Sequence, residues 1–331
     1  MKSIGTGSGQ RANQANVENA EQGLLRLGEY LLESGYRHTA VTPLTHHYNN
    51  QRSANHSATN LRDIFGWSRP FEQSIITEHE FDLMQSAGIL ARQDHRWRSQ
   101  VRWSSLGDLL CVHSAYPTDT TDAVFFGPDT YRFAQMIEFF LQTGNHSVRR
   151  AVDIGCGSGA GALLIAKALP LAQVLAVDIN QRALRFTAIN ARLAGVANVD
   201  TVYSNLLNGV EGEFDLIIAN PPYMLDAKQR AYRHGGGDLG AGLSFRIVEA
   251  ALSRLTAGGT LLLYTGVAMI EGYDPFLQML KQRLANKPCS WHYREMDPDV
   301  FSEELLKPAY AQVERIAAVA LTLERTEWHP L

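Results

Sequence analysis

Short apolar strands alternate with helix-like segments over the last two thirds of this chain. The strand-like runs are RRAVDIG (149–155), AQVLAVDIN (172–180), NVDTVYSN (198–205), FDLIIANPP (214–222) and GTLLLYTG (259–266). Amphipathic patterns such as RALRFTAINARLAG lie between them. Parallel strands need long crossovers, so this alternation predicts an α/β fold, a parallel sheet with helices on both faces.

The length of 331 residues predicts about two domains, at roughly 150 residues each. Residues 1–20 are rich in Gly, Ser, Asn and Gln and predict a disordered tail. The alternating pattern begins near Ala123, so we expect an N-terminal substrate-recognition domain over 21–122 and the sheet domain over 123–331.

The N-terminal domain has a mixed α+β pattern that resembles a winged helix. Thr77 followed by Glu80 predicts a capping box, and the alternating residues around Asp94 predict a hairpin. The basic residues of this region alternate with tryptophans, which fits either a nucleic-acid-binding wing or a hairpin with Trp inside and Arg outside: Arg96, Trp97, Arg98, Arg102 and Trp103. Residues 42–60, which include His46, are polar and predict a solvated loop.

Composition narrows the function classes. A formal charge of −4 lacks the cationic excess of a dedicated duplex-binding protein. Three widely spaced cysteines indicate neither a disulfide framework nor a zinc site, and we expect no bound metal. No apolar stretch is long enough for a membrane span, and the first residues do not resemble a signal peptide, so we expect a cytoplasmic protein.

A glycine loop follows the first strand of the sheet domain. The sequence is Asp153-Ile-Gly155-Cys-Gly157-Ser-Gly159, and a helix pattern begins directly after it. Glycines here let a ligand approach the backbone at the carboxyl end of the sheet, where open α/β folds bind ligands. The spacing is GxGxG rather than GxGxxG and no GK[ST] follows, so a P-loop is excluded and a dinucleotide site is disfavoured.

Two further motifs end the next strands. Asp178 stands 25 residues after Asp153 (178 − 153 = 25), where a carboxylate can accept hydrogen bonds from both ribose hydroxyls. Asn220-Pro221-Pro222-Tyr223 ends a later strand. Its prolines lack N–H donors, so this turn presents oxygen acceptors suited to an NH2 group.

Together these motifs resemble the class I S-adenosylmethionine-dependent methyltransferases that methylate amino groups, most closely the HemK-like glutamine N5-methyltransferases. The resemblance covers about residues 126–331 and includes Pro128-Asp129-Thr130 before the glycine loop and a glycine-rich stretch at 235–240 after the NPPY turn. It implies a Rossmann-like seven-stranded sheet and S-adenosylmethionine as cofactor.

The resemblance also implies roles for individual residues. The cofactor-binding set is Asp153, Gly155, Gly157, Gly159, Asp178, Ile179, Ser204, Asn205 and Asn220. The catalytic set, which would hold the target NH2 group, is Asn220, Pro221 and Tyr223. The acceptor pocket would be walled by Phe126, Tyr131, Arg132, Tyr223 and His234.

The acceptor itself stays open, because a protein glutamine, a nucleobase and a small-molecule amine all present a suitable nitrogen. The alternative is an enzyme that cyclises the methionine part of S-adenosylmethionine to a four-membered imino acid and releases methylthioadenosine. A non-catalytic subunit that binds the cofactor or RNA is disfavoured by the intact glycine loop and NPPY turn. The oligomeric state cannot be inferred from the sequence.

Overall fold

The computed structural model describes residues 7–143, 147–226, 230 and 232–327, with side chains from residue 17 onward. The chain forms two compact units. The first unit is Met1–Asp119 with Phe126–Pro128 and Ile189–Gly195, and the second is Thr120–Phe125, Asp129–Ala188 and Val196–Leu331. The boundary expected from the sequence, at 122/123, lies close to the first change of unit at 119/120.

The first unit combines helices with two separate hairpins. Its elements are α1 (Gly7–Glu33), α2 (Pro43–Asn50), α3 (Leu61–Phe65), α4 (Glu78–Ser86), β1 (Leu90–Gln93), β2 (Arg96–Ser99), β3 (Val101–Leu106) and β4 (Leu109–Ser114). Strand β1 pairs with β2, and β3 pairs with β4, both antiparallel. The capping box at Thr77 and Glu80 is confirmed, since each side chain bonds the other residue's backbone N–H.

Three expectations for this unit differ from the structure. Helix α1 begins at Gly7, so most of the expected tail is helical, while residues 1–6 lie outside the described part. Residues 43–50 form helix α2, because the Thr42 hydroxyl caps the N–H of Thr45 and a proline stands in the first turn. Arg102 is buried beside fully buried Trp103, so the basic residues are not all on an outer face.

The second unit is built around a seven-stranded sheet. Its elements are α5 (Pro128–Thr143), β5 (Arg150–Ile154), α6 (Ala160–Ala168), β6 (Gln173–Asp178), α7 (Gln181–Leu193), β7 (Val199–Tyr203), β8 (Phe214–Ala219), α8 (Gly242–Arg254), β9 (Leu255–Met269), α9 (Pro275–Leu284), β10 (Cys289–Asp297) and β11 (Arg315–Arg325). Pro128 of α5 and the end of α7, from Ile189, are counted with the first unit. The strand order is β10-β11-β9-β8-β5-β6-β7. Strand β11 is antiparallel to both of its neighbours, β10 and β9, and the other pairs of neighbouring strands are parallel. The Rossmann-like seven-stranded fold expected from the sequence is confirmed.

Each strand of the sheet centre contributes to two apolar layers. On β8, Leu216 and Ile218 join the core on one face, while Ile217 and Ala219 join the core on the other. Both faces of the sheet are buried because helices cover them. This explains why the sequence of β8 is continuously apolar from Leu216 to Ala219 rather than alternating between apolar and polar residues.

The strand order predicts where the sheet binds a ligand. From β5 the chain proceeds outward through β6 and β7, then returns to pair β8 against the other side of β5. The crevice at such a reversal, outside the carboxyl ends of the strands, is where open α/β sheets bind ligands. Within the described residues, no helix is long and apolar enough to cross a membrane.

Candidate active site

A cavity of about 410 Å³ opens at the carboxyl ends of β5, β6 and β8, within the second unit. This volume lies in the range of sites that enclose small-molecule ligands, roughly 300–1,000 Å³. Eight of the nine expected cofactor residues line it: Asp153, Gly155, Gly157, Asp178, Ile179, Ser204, Asn205 and Asn220. The ninth, Gly159, lies behind this lining.

The glycine loop makes room in two different ways. Gly155, Gly157 and Gly159 all have positive φ, at 73°, 56° and 81°. A β-carbon at Gly155 or Gly157 would meet no atom within 4 Å, so these two backbones face open space. At Gly159 a β-carbon would lie 2.6 Å from Thr187 Cγ2, so this glycine permits close packing of the loop on α7 instead.

Asp153 lies beneath this loop. It is 2% exposed, and its Oδ2 accepts a hydrogen bond of 3.0 Å from the N–H of Ala162. Burial raises the pKa of Asp153 to about 7, and the nearby negative charge of Asp178 adds to the rise. The charge of this carboxylate therefore depends on pH near neutrality.

Asp178 ends β6 and faces the same cavity. Its carboxylate accepts hydrogen bonds from the N–H groups of Gly157, at 3.0 Å, and Asn180, at 2.8 Å. Burial raises its pKa above the ordinary value. Ile179 is half exposed beside it and offers an apolar surface. A carboxylate next to an exposed aliphatic side chain suits the ribose and the base of a nucleoside.

Ser204 and Asn205 complete this half of the cavity after β7. Ser204 is buried, and its hydroxyl accepts from the N–H of Gly209 at 3.0 Å, which fixes the turn. Asn205 is exposed and also lines the cavity. Open space at two loop glycines, the Asp178 carboxylate and the Ile179 surface together fit S-adenosylmethionine.

The NPPY turn forms the other half of the cavity. Asn220 and both prolines line it. Among the described residues, the Asn220 side-chain amide has no hydrogen-bond partner, so its oxygen is available to a ligand. Because Pro221 and Pro222 bring no N–H groups, this corner is rich in acceptors.

Tyr223 is fixed at its hydroxyl and at its ring. The hydroxyl donates a hydrogen bond of 2.5 Å to Oδ2 of Asp129, a buried carboxylate that also accepts from the Tyr264 hydroxyl at 2.8 Å. The ring lies directly on Gly266, where a β-carbon would overlap Cε2. Burial and the Asp129 charge raise the pKa of Tyr223 well above its ordinary value. Tyr223 therefore presents a neutral ring to the cavity.

Asp129 connects the turn to distant parts of the sheet. Arg132 donates to Asp129 at 3.2 Å and to Asp297, at the end of β10, at 2.6 Å. Burial raises the pKa of Asp129 while the three hydrogen-bond donors oppose this rise. One carboxylate thus ties α5 to the NPPY turn, to Tyr264 on β9 and, through Arg132, to β10.

The glycine-rich stretch after the turn packs against the turn's own backbone. A β-carbon at Gly235 would lie 2.7 Å from the Pro222 carbonyl, and one at Gly240 would overlap the Tyr223 carbonyl. His234, which lines the cavity, accepts at Nδ1 from the N–H of Asp226. Arg233 is paired with buried Glu304. The stretch supports the NPPY turn from behind.

Three of the five expected wall residues take other positions. Phe126 is buried in the first unit, where it stacks on His113 at 5.1 Å. Arg132 bridges two carboxylates, and neither it nor Tyr131 lines the cavity. Helix α5 instead turns its inner face to the cavity, through Asp129, Thr130 and Phe133, and Phe125 precedes it. The sequence therefore identified the segment that lines the cavity, but not which residues of this segment face it.

Sequence reasoning missed Phe301, Tyr264 and the role of Asp129. Phe301 and Tyr264 are distant in sequence from every motif, and Tyr264 lies within an apolar strand pattern that hides it. In the sequence, Asp129 stands out only as part of a resemblance. Its burial next to Tyr223 is seen only in the folded chain.

The chain is similar in sequence to known methyltransferases. Residues 134–281 match the sequence profile of the family described as methyltransferase small domain. The release factor glutamine methyltransferase of Deinococcus radiodurans is 37% identical over 124 residues, which is 34% of this chain and 44% of that protein. The ribosomal protein uL3 glutamine methyltransferase of Bordetella pertussis is 39% identical over 131 residues, 36% of this chain and 44% of that protein.

A longer alignment exists at lower identity. The release factor glutamine methyltransferase of Lactococcus lactis is 26% identical over 241 residues, 69% of this chain and 82% of that protein. In the first two alignments the chain spans less than half the length of its relatives.

Proposed function

We propose that this chain, which carries a class I S-adenosylmethionine-dependent methyltransferase domain of the HemK-like branch, methylates the side-chain amide nitrogen of glutamine in a protein. The observation that carries the proposal is the Asn220–Tyr223 turn, which places an amide oxygen with no partner among the described residues in the same cavity as the nucleoside-binding residues. The relatives' acceptors, a release factor and a ribosomal protein, support the choice of a protein glutamine. A cytoplasmic location belongs to the same proposal.

The turn holds the acceptor amide in a reactive orientation. The Asn220 side-chain oxygen and the Pro221 carbonyl accept the two amide hydrogens, and the Tyr223 ring packs on the amide plane. Acceptors on these hydrogens raise electron density on nitrogen and stabilise the positive charge that develops there in the transition state. Bound S-adenosylmethionine supplies an electrophilic methyl group on its sulfonium.

The cofactor half of the cavity sets the approach. Asp178 would hold the ribose, Ile179 would pack on the base, and the open backbone at Gly155 and Gly157 would admit the methionine part. Positioning of the acceptor nitrogen by the residues of the turn would then be the main contribution of the protein. We assign recognition of the protein that carries this glutamine to the first unit, most of which lies outside the matched profile.

Methylation of purified release factor and uL3 tests the proposal. Both acceptor proteins are produced in cells that lack glutamine methyltransferases, so that they are unmethylated. They are then incubated with this protein and S-adenosylmethionine. Tandem mass spectrometry is expected to place one added methyl group on a glutamine, and Asn220→Ala is expected to slow its formation by about a hundredfold or more. Methylation of neither protein would overturn the proposal. Methylthioadenosine formed from S-adenosylmethionine alone would favour the cyclising alternative.

A further inference from the structure

Phe301 has a backbone conformation that is unusual for a bulky residue. It lies after β10 with φ 54° and ψ 43°, in the left-handed region. Such a conformation costs about 1–3 kcal/mol for a residue other than glycine and persists only where its surroundings enforce it. Here Val300 N–H donates to the Ile316 carbonyl and Glu304 N–H donates to the Phe301 carbonyl, both at 2.8 Å.

The enforced conformation places the Phe301 ring in the cavity wall. Its centroid lies 6.0 Å from that of Tyr223, with 68° between the ring planes. The guanidinium of Arg233 lies 6.0 Å from the same ring, and Arg233 is itself held by Glu304. The two aromatic rings therefore form a corner beside the NPPY turn.

The sheet order assigns this corner to the acceptor. Strands β6 and β7, which carry Asp178 and precede Ser204, lie on one side of β5. Strands β8, β9, β11 and β10 lie on the other, and Phe301 follows β10. Its contact with Tyr223 joins it to the turn that holds the NH2 group rather than to the nucleoside half.

We propose that Phe301 is a specificity-determining residue whose ring packs on the methylene groups of the acceptor side chain while Tyr223 covers the amide plane. This inference rests on the proposed function and deepens it, because a corner of two steeply inclined rings suits a narrow amide on a flexible aliphatic stem. The strained backbone aims the ring. Removal of the ring thus weakens acceptor binding and leaves the cofactor half intact.

Steady-state kinetics with the unmethylated form of the acceptor that the wild type modifies test this role. Phe301→Leu removes the ring, and Phe301→Gly removes both the ring and the strain. Both are expected to raise the acceptor KM about tenfold while kcat changes little, since removal of an apolar group from a binding pocket costs about this factor. Phe301→Tyr keeps the ring and is expected to behave like the wild type. Calorimetric titration with S-adenosylhomocysteine, expected unchanged, shows that each variant is folded.

A matched control is available at Glu271, which has a φ of 48° and does not line the cavity. Glu271→Gly relieves the same kind of strain and is expected to leave the acceptor KM unchanged. If Phe301→Gly does not bind S-adenosylhomocysteine, it is not folded, and the acceptor KM of Phe301→Leu then tests the inference. An unchanged acceptor KM in the folded Phe301 variants overturns this inference alone, whereas a wild-type protein that methylates neither acceptor overturns the proposed function.

Discussion

The Tyr223 hydroxyl and the Asp129 carboxylate are 2.5 Å apart in the interior of the second unit. This hydrogen bond joins the last residue of the NPPY turn to the first turn of α5, and it occupies the tyrosine's only polar group. Tyr223 therefore acts on an acceptor through its ring and its position, not through its hydroxyl. Asp129 is a positioning residue, because it acts on the site through Tyr223.

Tyr223→Phe tests this positioning. Loss of a hydrogen bond to a buried carboxylate is expected to lower the free energy of unfolding by about 1–3 kcal/mol. It is also expected to lower kcat by about tenfold, because the turn loses its anchor. Urea unfolding and steady-state kinetics measure the two effects.

Tyr264→Phe is the matched control, since Tyr264 donates to the other oxygen of Asp129 and does not line the cavity. It is expected to cost similar stability with little loss of kcat. In a variant that already carries Asp129→Asn, Tyr223→Phe is expected to lower the free energy of unfolding and kcat by less than it does alone. Equal losses of kcat in the two tyrosine variants would show that Asp129 supports the core in general rather than the turn.

Asn220→Ala is expected to lower kcat by about a hundredfold or more, because one acceptor of the target NH2 hydrogens is lost in the transition state. The affinity for S-adenosylhomocysteine is expected to change little. Single-turnover kinetics and calorimetric titration measure the two quantities. Asn208→Ala, at an exposed position outside the cavity, is the control. A cofactor affinity that falls as far as the rate would assign Asn220 to cofactor binding instead.

The sequence predicts the cofactor half of the site far better than the acceptor half. Asp153, the loop glycines and Asp178 occur at or just after strand ends, so the parallel topology alone brings them to one edge. Phe126 and Phe125 are adjacent on an irregular segment, and no pattern distinguishes the residue that lines the cavity from the one that stacks on His113.

The rest of the acceptor half depends on long-range packing. Phe301 reaches the cavity only because β10 and β11 pair as the last two strands, at one end of the sheet. The polar sequence around His46 predicts a solvated loop, yet His46 is buried inside the first unit, where its ring centroid lies 4.1 Å from that of Tyr116. Both positions are set by contacts between segments distant in sequence, and these leave no local signal.

The stability of the first unit is expected to fall in acid. Burial lowers the pKa of His38 and of His46 to about 3, and the positive charge of Arg102 adds to both shifts. The unfolded chain, with histidine pKa values near 6.5, binds protons between pH 6.5 and 3 that the folded unit excludes. Each histidine therefore removes up to about 1.4 kcal/mol of unfolding free energy per pH unit below 6.5.

His46→Phe keeps an aromatic ring beside Tyr116 and removes one titrating group. Urea unfolding between pH 7.5 and 5 is expected to show a shallower loss of stability in this variant than in the wild type. His47→Ala, at the exposed neighbouring position, is expected to keep the wild-type slope. The same slope in His46→Phe and the wild type would mean that His46 takes up a proton within the folded unit.

Cofactor affinity is expected to rise with pH through neutrality. The pKa of Asp153 is about 7, so this carboxyl is mostly neutral at pH 6 and mostly charged at pH 8. The methionine part of S-adenosylmethionine and of S-adenosylhomocysteine carries an ammonium group, which a charged carboxylate in a buried site attracts. Ligand binding therefore favours deprotonation of Asp153, and the Kd for S-adenosylhomocysteine is expected to fall between pH 6 and pH 8.

Asp153→Asn, which cannot titrate at this position, is expected to bind S-adenosylhomocysteine weakly and with a flatter pH profile. A wild-type slope retained in Asp153→Asn would show that another group causes the pH dependence and would contradict the role given to Asp153.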